Sequence, residues 1–262
     1  MLPLVDKPII QYVIEEAVQS GLRNIILVTG RGKNAIEDHF DVAHELERQL
    51  EERGKTVLLQ QVREISSMID VAYVRQGQAL GLGHAVLMAR NLVGDEPFAV
   101  MLGDDVIDSQ VPCMRQMIGA FERHGGPVIA AQRVIGPGIS SYGVIDGTPE
   151  DSDERVVRVE DLVEKPRPED APSDLAIIGR YILTPDIFDI LEETPRDARG
   201  EIQLTNALRT LSHRRPVFGY RFEGTRYDAG DKLGFLKATV ELALKREDLG
   251  ASFREYLRAL KL

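Results

Sequence analysis

The sequence predicts an α/β fold with a mixed, mostly parallel, doubly wound sheet, helices on both faces and its first strand missing. Three observations lead to this prediction. Short apolar strands alternate with helical segments between residues 24 and 134, a pattern typical of parallel sheets. Residues 140–165 then form strands without an intervening helix. Before residue 24 the sequence shows a helix signal and no buried strand, so either the fold opens with a helix or a strand is missing upstream.

Composition narrows the class of protein. The chain has 262 residues, of which 43% are hydrophobic and 28% charged, and this is enough for one domain with a sizeable core. A net charge of −10 argues against a nucleic-acid partner, which would need a basic face. The single cysteine, Cys113, excludes an internal disulfide and fits a reducing compartment. Without a signal pattern or an apolar run of membrane-spanning length, we expect a soluble cytoplasmic protein with no membrane partner.

The first third of the chain predicts two helices around a buried strand. Apolar residues recur at helical spacing from Ile9 to Val18, with Asp6 as the expected cap. Residues 24–29 are a buried strand, and residues 30–33 follow it. This glycine-containing segment could hold phosphate, but the GxxxxGK[ST] pattern fails, which favours a plain connection into a helix over residues 34–53.

A glycine-rich segment follows the next short strand, residues 71–74. Glycines at 77, 81 and 83 would allow the backbone to approach a ligand closely, although a glycine-rich connection before a helix explains them equally well. The third glycine of a dinucleotide fingerprint is absent. Gln76 with a nearby backbone amide could read the edge of a pyrimidine base. His84 has no second ligand at metal-binding spacing.

Two adjacent carboxylates end the strand over residues 98–102. Gly103 stops the apolar run, and Asp104 and Asp105 follow it. Ligands bind beyond the carboxyl ends of strands in such sheets, and Mg²⁺ takes carboxylate and phosphate oxygens. A solvated Gly-Asp turn is the alternative. These residues therefore allow either a turn or a metal site.

The second half carries further charged junctions. Asp146-Gly147 predicts a hairpin turn, and the strand over residues 155–163 runs into Glu164 and Lys165. Strands over residues 175–183 and 217–222 and a helix over residues 200–212 follow, before a second acidic turn containing Asp228 and Asp231. Residues 232–260 are predicted to be helical. Two separate acidic turns and a lysine suit phosphoryl-type transfer, in which positioning and charge neutralisation dominate.

Read together, these segments resemble the bacterial UTP–glucose-1-phosphate uridylyltransferases of the sugar nucleotidyltransferase superfamily. The resemblance spans nearly the whole chain and rests on an ordered series of segments: MLPLVDKPIIQY from Met1, VRQG from Val74, GLGHA from Gly81, GDD from Gly103, YGV from Tyr142, VEKP from Val163, IGRY from Ile178, GEIQLT from Gly200 and DAG from Asp228. It implies a Rossmann-like sheet in a single domain, with a nucleotide-binding part (1–135), a sugar-binding part (136–231) and a C-terminal helical region (232–262).

The resemblance also implies the reaction and the roles of individual residues. The sugar-phosphate oxygen of glucose 1-phosphate would attack the α-phosphorus of UTP, giving UDP-glucose and pyrophosphate with Mg²⁺ as cofactor. Asp104 and Asp228 would hold the metal, and Lys165 would neutralise a substrate phosphate; these three are the predicted catalytic residues. The implied substrate-binding residues are Gln76 and Gly81 at the uracil, Gly143, Glu164 and Gly179 at the glucose, and in addition Asp105 and Glu201.

One departure from the family pattern qualifies these expectations. The signature loop GxGTRxxPxTKxxPKE, which precedes MLPL in the family and would cradle the phosphates, is not in this sequence. Either the start codon is assigned too late or the chain is truncated, and in the second case we expect very weak activity. The alternatives are a binding or regulatory paralogue, and a sister enzyme for another sugar 1-phosphate or dTTP. The family suggests a homodimer or homotetramer.

Overall fold

A computed structural model describes residues 2–150 and 153–260, and Met1, the first residue of the resemblance, lies outside them. The described strands are β1 (Pro3–Leu4), β2 (Lys7–Pro8), β3 (Asn24–Thr29), β4 (Asp70–Arg75), β5 (Phe98–Met101), β6 (Asp105–Asp108), β7 (Val128–Arg133), β8 (Gly143–Glu150), β9 (Asp153–Glu164), β10 (Leu175–Leu183), β11 (Phe218–Arg221) and β12 (Thr225–Asp228).

The described α-helices follow the predicted alternation in the first half and cluster at the end of the chain. They are α1 (Ile9–Gln19), α2 (Asn34–Phe40), α3 (His44–Glu52), α4 (Thr56–Ser66), α5 (Leu82–Met88), α6 (Arg90–Val93), α7 (Cys113–His124), α8 (Asp186–Glu193), α9 (Leu204–Ser212), α10 (Lys232–Lys245) and α11 (Gly250–Ala259). None of these described helices is long and apolar enough to cross a membrane.

The central sheet confirms the predicted mixed α/β fold. Its strand order is β5-β10-β7-β11-β9-β8. Strands β7 and β11 are parallel, whereas β10 is antiparallel to β5, β7 and β8, and β9 is antiparallel to β11 and β8. Strands β5, β7, β8 and β11 therefore run in one direction, and β9 and β10 oppose them. The sheet takes strands from both sides of residue 135, so the two parts predicted for residues 1–231 share one sheet.

Alternating residues along the strands build a core on each face of this sheet. On β7, Val128 and Ala130 belong to the cluster that includes Met114 and Met117 of α7. The intervening Ile129 and Ala131 belong to the cluster that includes residues of α5, α8 and α9. This two-residue period is what a strand covered on both faces requires. The helices thus lie on both sides of the sheet, as predicted.

Besides the central sheet, the described residues form three two-stranded sheets, namely β3–β4, β6–β12 and β1–β2. Strands β3 and β4 are parallel, with Asn24 opposite Asp70 and Thr29 opposite Arg75. Strands β6 and β12 are antiparallel, with Asp228 opposite Asp105. The second pair brings the two predicted acidic turns together.

The start of the chain differs from the prediction. Strands β1 and β2 pair with Leu4 opposite Lys7, so Val5 and Asp6 form the turn between them. Helix α1 begins at Ile9, and no side chain caps its first turn. The carboxylate of Asp6 instead pairs with Arg246. The expectation that Asp6 caps this helix is therefore wrong, because a short hairpin precedes the helix.

Two further boundaries differ. Asp146 and Gly147 lie inside β8, where the register with β9 shifts between them, so this dipeptide forms an irregularity and not a hairpin turn. Strands β8 and β9 are antiparallel with Glu150 opposite Asp153, and residues 151–152 lie outside the described part. The predicted helix over residues 34–53 is divided into α2 and α3, whereas the helical region predicted over residues 232–260 is present as α10 and α11.

Candidate functional site

The two acidic turns converge on Gly230. Because β12 pairs with β6 so that Asp228 lies opposite Asp105, Asp104 lies beside the end of β12. The amide of Ala229 donates to the carbonyl oxygen of Asp104 at 2.8 Å and fixes this approach. A Cβ placed on Gly230 would lie 3.0 Å from Asp104 Oδ2 and 3.2 Å from Asp228 Oδ1. The two carboxylates therefore face the same small space, which glycine leaves open.

This arrangement fits a divalent cation that takes further ligands from its substrate. Asp104 is exposed, and Asp228 Oδ1 accepts a hydrogen bond from the amide of Gly230 at 3.1 Å. In the described part of the chain, no group of three or more His, Cys, Asp or Glu side chains is placed to hold a metal. Two carboxylates completed by water and phosphate oxygens are what Mg²⁺ commonly uses beside a nucleotide. The residues present thus suit a hard cation shared with a phosphate-bearing ligand.

Asp105 has a different role from its neighbour. It is 3% exposed, its Oδ2 accepts the amide of Gly179 at 3.0 Å, and its Oδ1 lies 2.5 Å from the guanidinium of Arg226. Burial raises the pKa of Asp105, whereas the positive charge of Arg226 lowers it. Both carboxylate oxygens are used inside the protein. Its carboxylate faces inward, and the contact of Asp105 with substrate stays a prediction.

Arg226 is a site residue that the sequence reasoning missed. Its Nη2 donates to Asp228 Oδ2 at 3.0 Å, and its Nη1 donates to the hydroxyl of Tyr142 at 2.9 Å. The side chain is 11% exposed. A signal was available in the sequence, since residues two apart in a strand lie on the same face and Arg226 precedes Asp228 by two.

Arg180 binds the backbone of the turn that contains Asp104. It is fully buried, and it donates to the carbonyl oxygens of Leu102 at 3.2 Å and Asp105 at 2.7 Å, on either side of Gly103 and Asp104. Its charge is balanced by Glu16 of α1. The IGRY segment contains Arg180, but nothing in its local spacing points to this partner.

The predicted sugar-side residues lie at the ends of β8 and β9. Gly143 pairs with Glu164 across the two strands. Lys165 follows with a left-handed backbone (φ +46°), and its amide donates to the carbonyl oxygen of Tyr142 at 3.0 Å. Its Nζ lies 3.5 Å from Glu164 Oε1 and is exposed. A cation and a carboxylate are thus presented together at the end of a strand.

The two glycines predicted at the glucose site are both buried. A Cβ on Gly143 would lie 2.9 Å from Thr205 Oγ1, and a Cβ on Gly179 would lie 2.3 Å from Asp105 Oδ2. The amide of Gly179 donates to Asp105, and its carbonyl accepts from Leu102 and Arg180. The backbone polar groups of Gly179 bind within the protein, and its place at the glucose site stays a prediction. Both glycines permit close packing beneath the site.

The predicted base-side residues form a second group. Gln76 Nε2 donates to the carbonyl oxygen of Gly81 at 3.1 Å and lies 3.0 Å from His84 Nδ1. Gly81 has φ +91°, and a Cβ there would lie 2.9 Å from both Glu201 Cβ and the carbonyl oxygen of Ile202. The glycine therefore accommodates the backbone of residues 201–202 in addition to any ligand. This contact places Glu201 beside Gln76 and Gly81, which the sequence alone did not show.

Hydrogen bonds connect two of the three groups of predicted site residues. Arg226 and Tyr142 connect the acids at Gly230 to the Glu164–Lys165 segment. Among the residues described, no hydrogen bond connects the Gln76–Gly81–Glu201 group to these acids. The arrangement offers a cation site, an exposed ammonium and a hydrogen-bonding group for a flat polar ring.

Comparison with known proteins agrees with this geometry. The profile of the nucleotidyl transferase family matches residues 1–245. The chain is 50% identical to a UTP–glucose-1-phosphate uridylyltransferase of Bacillus subtilis (strain 168) over 260 residues, which are 99% of this chain and 88% of that protein.

Solved structures show that the similarity extends to the fold. A UTP-bound UGPase from Acinetobacter baumannii superimposes with a TM-score of 0.91 at 38% identity, covering 100% of this chain and 91% of that one. A UDP-glucose pyrophosphorylase complexed with UDP-glucose gives a TM-score of 0.84 at 44% identity, covering 94% of this chain and 90% of that one. The similarity therefore extends over nearly the whole chain in sequence and in fold.

Proposed function

Because this chain belongs to the nucleotidyl transferase family, we propose that it transfers the uridylyl group of UTP to glucose 1-phosphate, giving UDP-glucose and pyrophosphate. The observation that carries the proposal is the convergence of Asp104 and Asp228 at Gly230. It supplies a cation site for a nucleoside triphosphate in a chain 50% identical to a uridylyltransferase.

The reaction is an in-line displacement at phosphorus. A phosphate oxygen of glucose 1-phosphate attacks the α-phosphorus of UTP, the new phosphorus–oxygen bond forms, and the bond to pyrophosphate breaks. Asp104 and Asp228 would hold Mg²⁺, which when bound neutralises charge on the phosphates. The exposed ammonium of Lys165 faces the phosphate of glucose 1-phosphate and offsets its negative charge, while Glu164 accepts hydrogen bonds from sugar hydroxyls. No covalent enzyme intermediate is needed.

The carboxamide of Gln76 favours a uracil-type ring. Its Nε2 faces the carbonyl oxygen of Gly81, so the amide nitrogen must occupy this side. In the part of the chain that the structure describes, its Oε1 has no hydrogen-bond partner and is available as an acceptor. The ring N–H of uracil can donate to this oxygen, whereas cytosine presents an acceptor at the same position. Gly81 and Glu201 flank this contact.

Thymine offers the same ring N–H as uracil, and this keeps a sister enzyme for dTTP as a second candidate. A hydrophobic pocket discriminates a methyl group by only about 1–3 kcal/mol. Another sugar 1-phosphate is a further candidate, because discrimination between sugars depends on how the pocket hydrogen-bonds their hydroxyls. A binding or regulatory paralogue would retain the two carboxylates and bind nucleotide sugar without turning it over.

Pyrophosphate release separates these candidates. The purified chain is incubated with Mg²⁺, with UTP, dTTP or CTP as nucleotide and with glucose or galactose 1-phosphate as acceptor. Because the sequence lacks the signature loop, we expect slow formation of product with UTP and glucose 1-phosphate, and none with CTP. A preference for dTTP or for another sugar would favour the sister enzyme. Calorimetric binding of UDP-glucose without turnover would favour the paralogue, and the absence of both binding and turnover would overturn the proposal.

We also propose a homodimer or homotetramer, as the family suggests. Leu233 and Leu236 of α10 are 58% and 59% exposed, and apolar side chains of this kind suit a contact between subunits. Light scattering coupled to size exclusion measures the mass directly. We expect two or four copies of the chain, and a monomer at working concentration would contradict the proposal.

A further inference from the structure

Arg226 lies where the metal-side acids meet the sugar-side segment. Its guanidinium lies 2.5 Å from Asp105 Oδ1, 3.0 Å from Asp228 Oδ2 and 2.9 Å from the hydroxyl of Tyr142. At 11% exposure, these contacts form largely out of water, where charged hydrogen bonds hold their geometry well. One planar group therefore fixes three acceptors that belong to different parts of the site.

The contact with Asp228 sets the orientation of a predicted metal ligand. Asp228 Oδ2 accepts from Arg226, and this leaves Oδ1 directed to the space beside Gly230 that Asp104 Oδ2 also faces. Without Arg226, the carboxylate of Asp228 could rotate and turn Oδ1 away. Groups that hold metal ligands in this way typically change metal affinity by about 10–100-fold when they are altered.

The contact with Tyr142 reaches the sugar side. The carbonyl oxygen of Tyr142 accepts the amide of Lys165 at 3.0 Å, and the next residue, Gly143, pairs with Glu164. Asp105, the third partner, holds the amide of Gly179. Hydrogen bonds through Arg226 and Tyr142 thus connect the two sides of the site.

We propose that Arg226 is a positioning residue that couples the metal acids to the Glu164–Lys165 segment, so that a cation and the sugar phosphate strengthen each other's binding. Arg226 acts through Asp228 and Tyr142 and touches neither ligand itself. The proposal rests on the proposed function for the identity of the sugar nucleotide. Lysine in its place would keep the charge but could not hold three acceptors at once, because it lacks the planar fork.

The test measures coupling by calorimetry. Mn²⁺ serves as the cation and UDP-glucose as the ligand, and each is titrated with and without the other. In the unmodified chain, we expect Mn²⁺ to tighten UDP-glucose binding by at least about 5-fold, and the same factor must appear in the reverse titration. Arg226→Lys should bind Mn²⁺ about 10-fold more weakly and bring the coupling factor close to one.

Two further variants separate positioning from general stability. Tyr142→Phe removes one contact of Arg226, so we expect unchanged Mn²⁺ affinity with a reduced coupling factor. Arg90→Lys is the matched control, since Arg90 also pairs with two carboxylates, Asp189 and Glu192, at a surface outside the site. It should behave as the unmodified chain.

The outcomes are distinct. If Arg226→Lys keeps its melting temperature and the full coupling factor, the proposal is overturned. If Arg226→Lys does not fold, Tyr142→Phe decides, and an unchanged coupling factor in that variant overturns the proposal. If the unmodified chain binds Mn²⁺ but not UDP-glucose, the proposed function fails. A weaker Mn²⁺ affinity in Arg226→Lys would then still support the positioning of Asp228.

Discussion

Glu16 and Arg180 form a buried ion pair beneath the turn that carries Asp104. Arg180 Nη2 lies 2.8 Å from Glu16 Oε2, with Arg180 fully buried and the Glu16 side chain 8% exposed. The remaining donors of Arg180 reach the carbonyl oxygens of Leu102, Asp105 and Gly179. Glu16 Oε1 also accepts the amide of Met114 in the first turn of α7. The pair therefore ties two helices and a strand to one turn.

Breaking this pair should strongly destabilise the fold. Arg180→Met or Glu16→Gln leaves one buried charge without its partner, and we expect each to lower the free energy of unfolding by about 3–5 kcal/mol. Urea unfolding followed by circular dichroism measures the loss. Arg48→Gln is the control, because Arg48 and Glu52 are 72% and 68% exposed and such pairs contribute at most about 1 kcal/mol. Losses below about 1 kcal/mol in both buried variants would contradict the interpretation.

Asp228 and Asp231 should separate catalysis from stability within one turn. Asp228 faces Asp104, whereas Asp231 caps α10 by accepting the amide of Gly234 at 2.9 Å. We expect Asp228→Asn to reduce turnover at least about 100-fold, because it removes a proposed metal ligand, with little change in melting temperature. Asp231→Asn should keep turnover, and Asp231→Ala should lower the free energy of unfolding by about 1 kcal/mol. Pyrophosphate release and urea unfolding provide the two readouts.

The opposite effects of these two substitutions on turnover would contradict the proposed position of the metal site. If Asp231→Asn lost turnover while Asp228→Asn retained it, the metal site would have to be moved from the Asp104–Asp228 space to the start of α10. Asp104→Asn provides the internal check, since it should match Asp228→Asn in activity and in Mn²⁺ affinity.

Lys165 combines a side chain with a proposed role in the reaction and a strained backbone. Its φ of +46° lies in the left-handed region, which costs a residue with a Cβ about 1–2 kcal/mol. We expect Lys165→Gly and Lys165→Ala to lose turnover equally, because both remove the ammonium. Lys165→Gly should be about 1 kcal/mol more stable than Lys165→Ala, because glycine relieves the strain. Equal stabilities would show that the backbone relaxes on substitution, and retained turnover would remove Lys165 from the reaction.

The sequence allowed most of the fold to be predicted because strand and helix periods are local. The apolar runs at residues 24–29 and 175–183 match β3 and β10, and the switch to strands without helices matches β8 and β9. The start of the first helix was predicted wrongly, because Val5 and Asp6 form the turn of a short hairpin. Each strand of this hairpin has only two residues. The local sequence signal of so short a hairpin is weak, so packing against the rest of the chain determines whether it forms.

The sequence indicated which segments carry the candidate site, but not how their side chains pack. That Asp104 faces outward while Asp105 faces inward depends on the register between β6 and β12, which joins residues more than a hundred positions apart. The partner of Arg180 is separated from it by 164 residues, so no spacing rule reveals the pair. Gly81 was predicted to allow a ligand to approach the backbone closely. In the structure, the backbone of Ile202 also approaches this glycine.

The reactivity of the Cys113 thiol should measure how readily the buried region around Glu16 and Arg180 opens. It is fully buried at the start of α7, and burial together with the Glu16 carboxylate raises the pKa of its thiol. Since the thiolate is the reactive form, a thiol reagent should label the native protein only through unfolding, at a small fraction of the rate seen in urea. Cys113 is the single cysteine of the chain, so the signal needs no assignment. Arg180→Met should label faster, because the pair that anchors Met114 is broken, and Arg48→Gln should label as the unmodified chain does. Rapid stoichiometric labelling of the unmodified protein in native buffer would show that α7 opens without global unfolding.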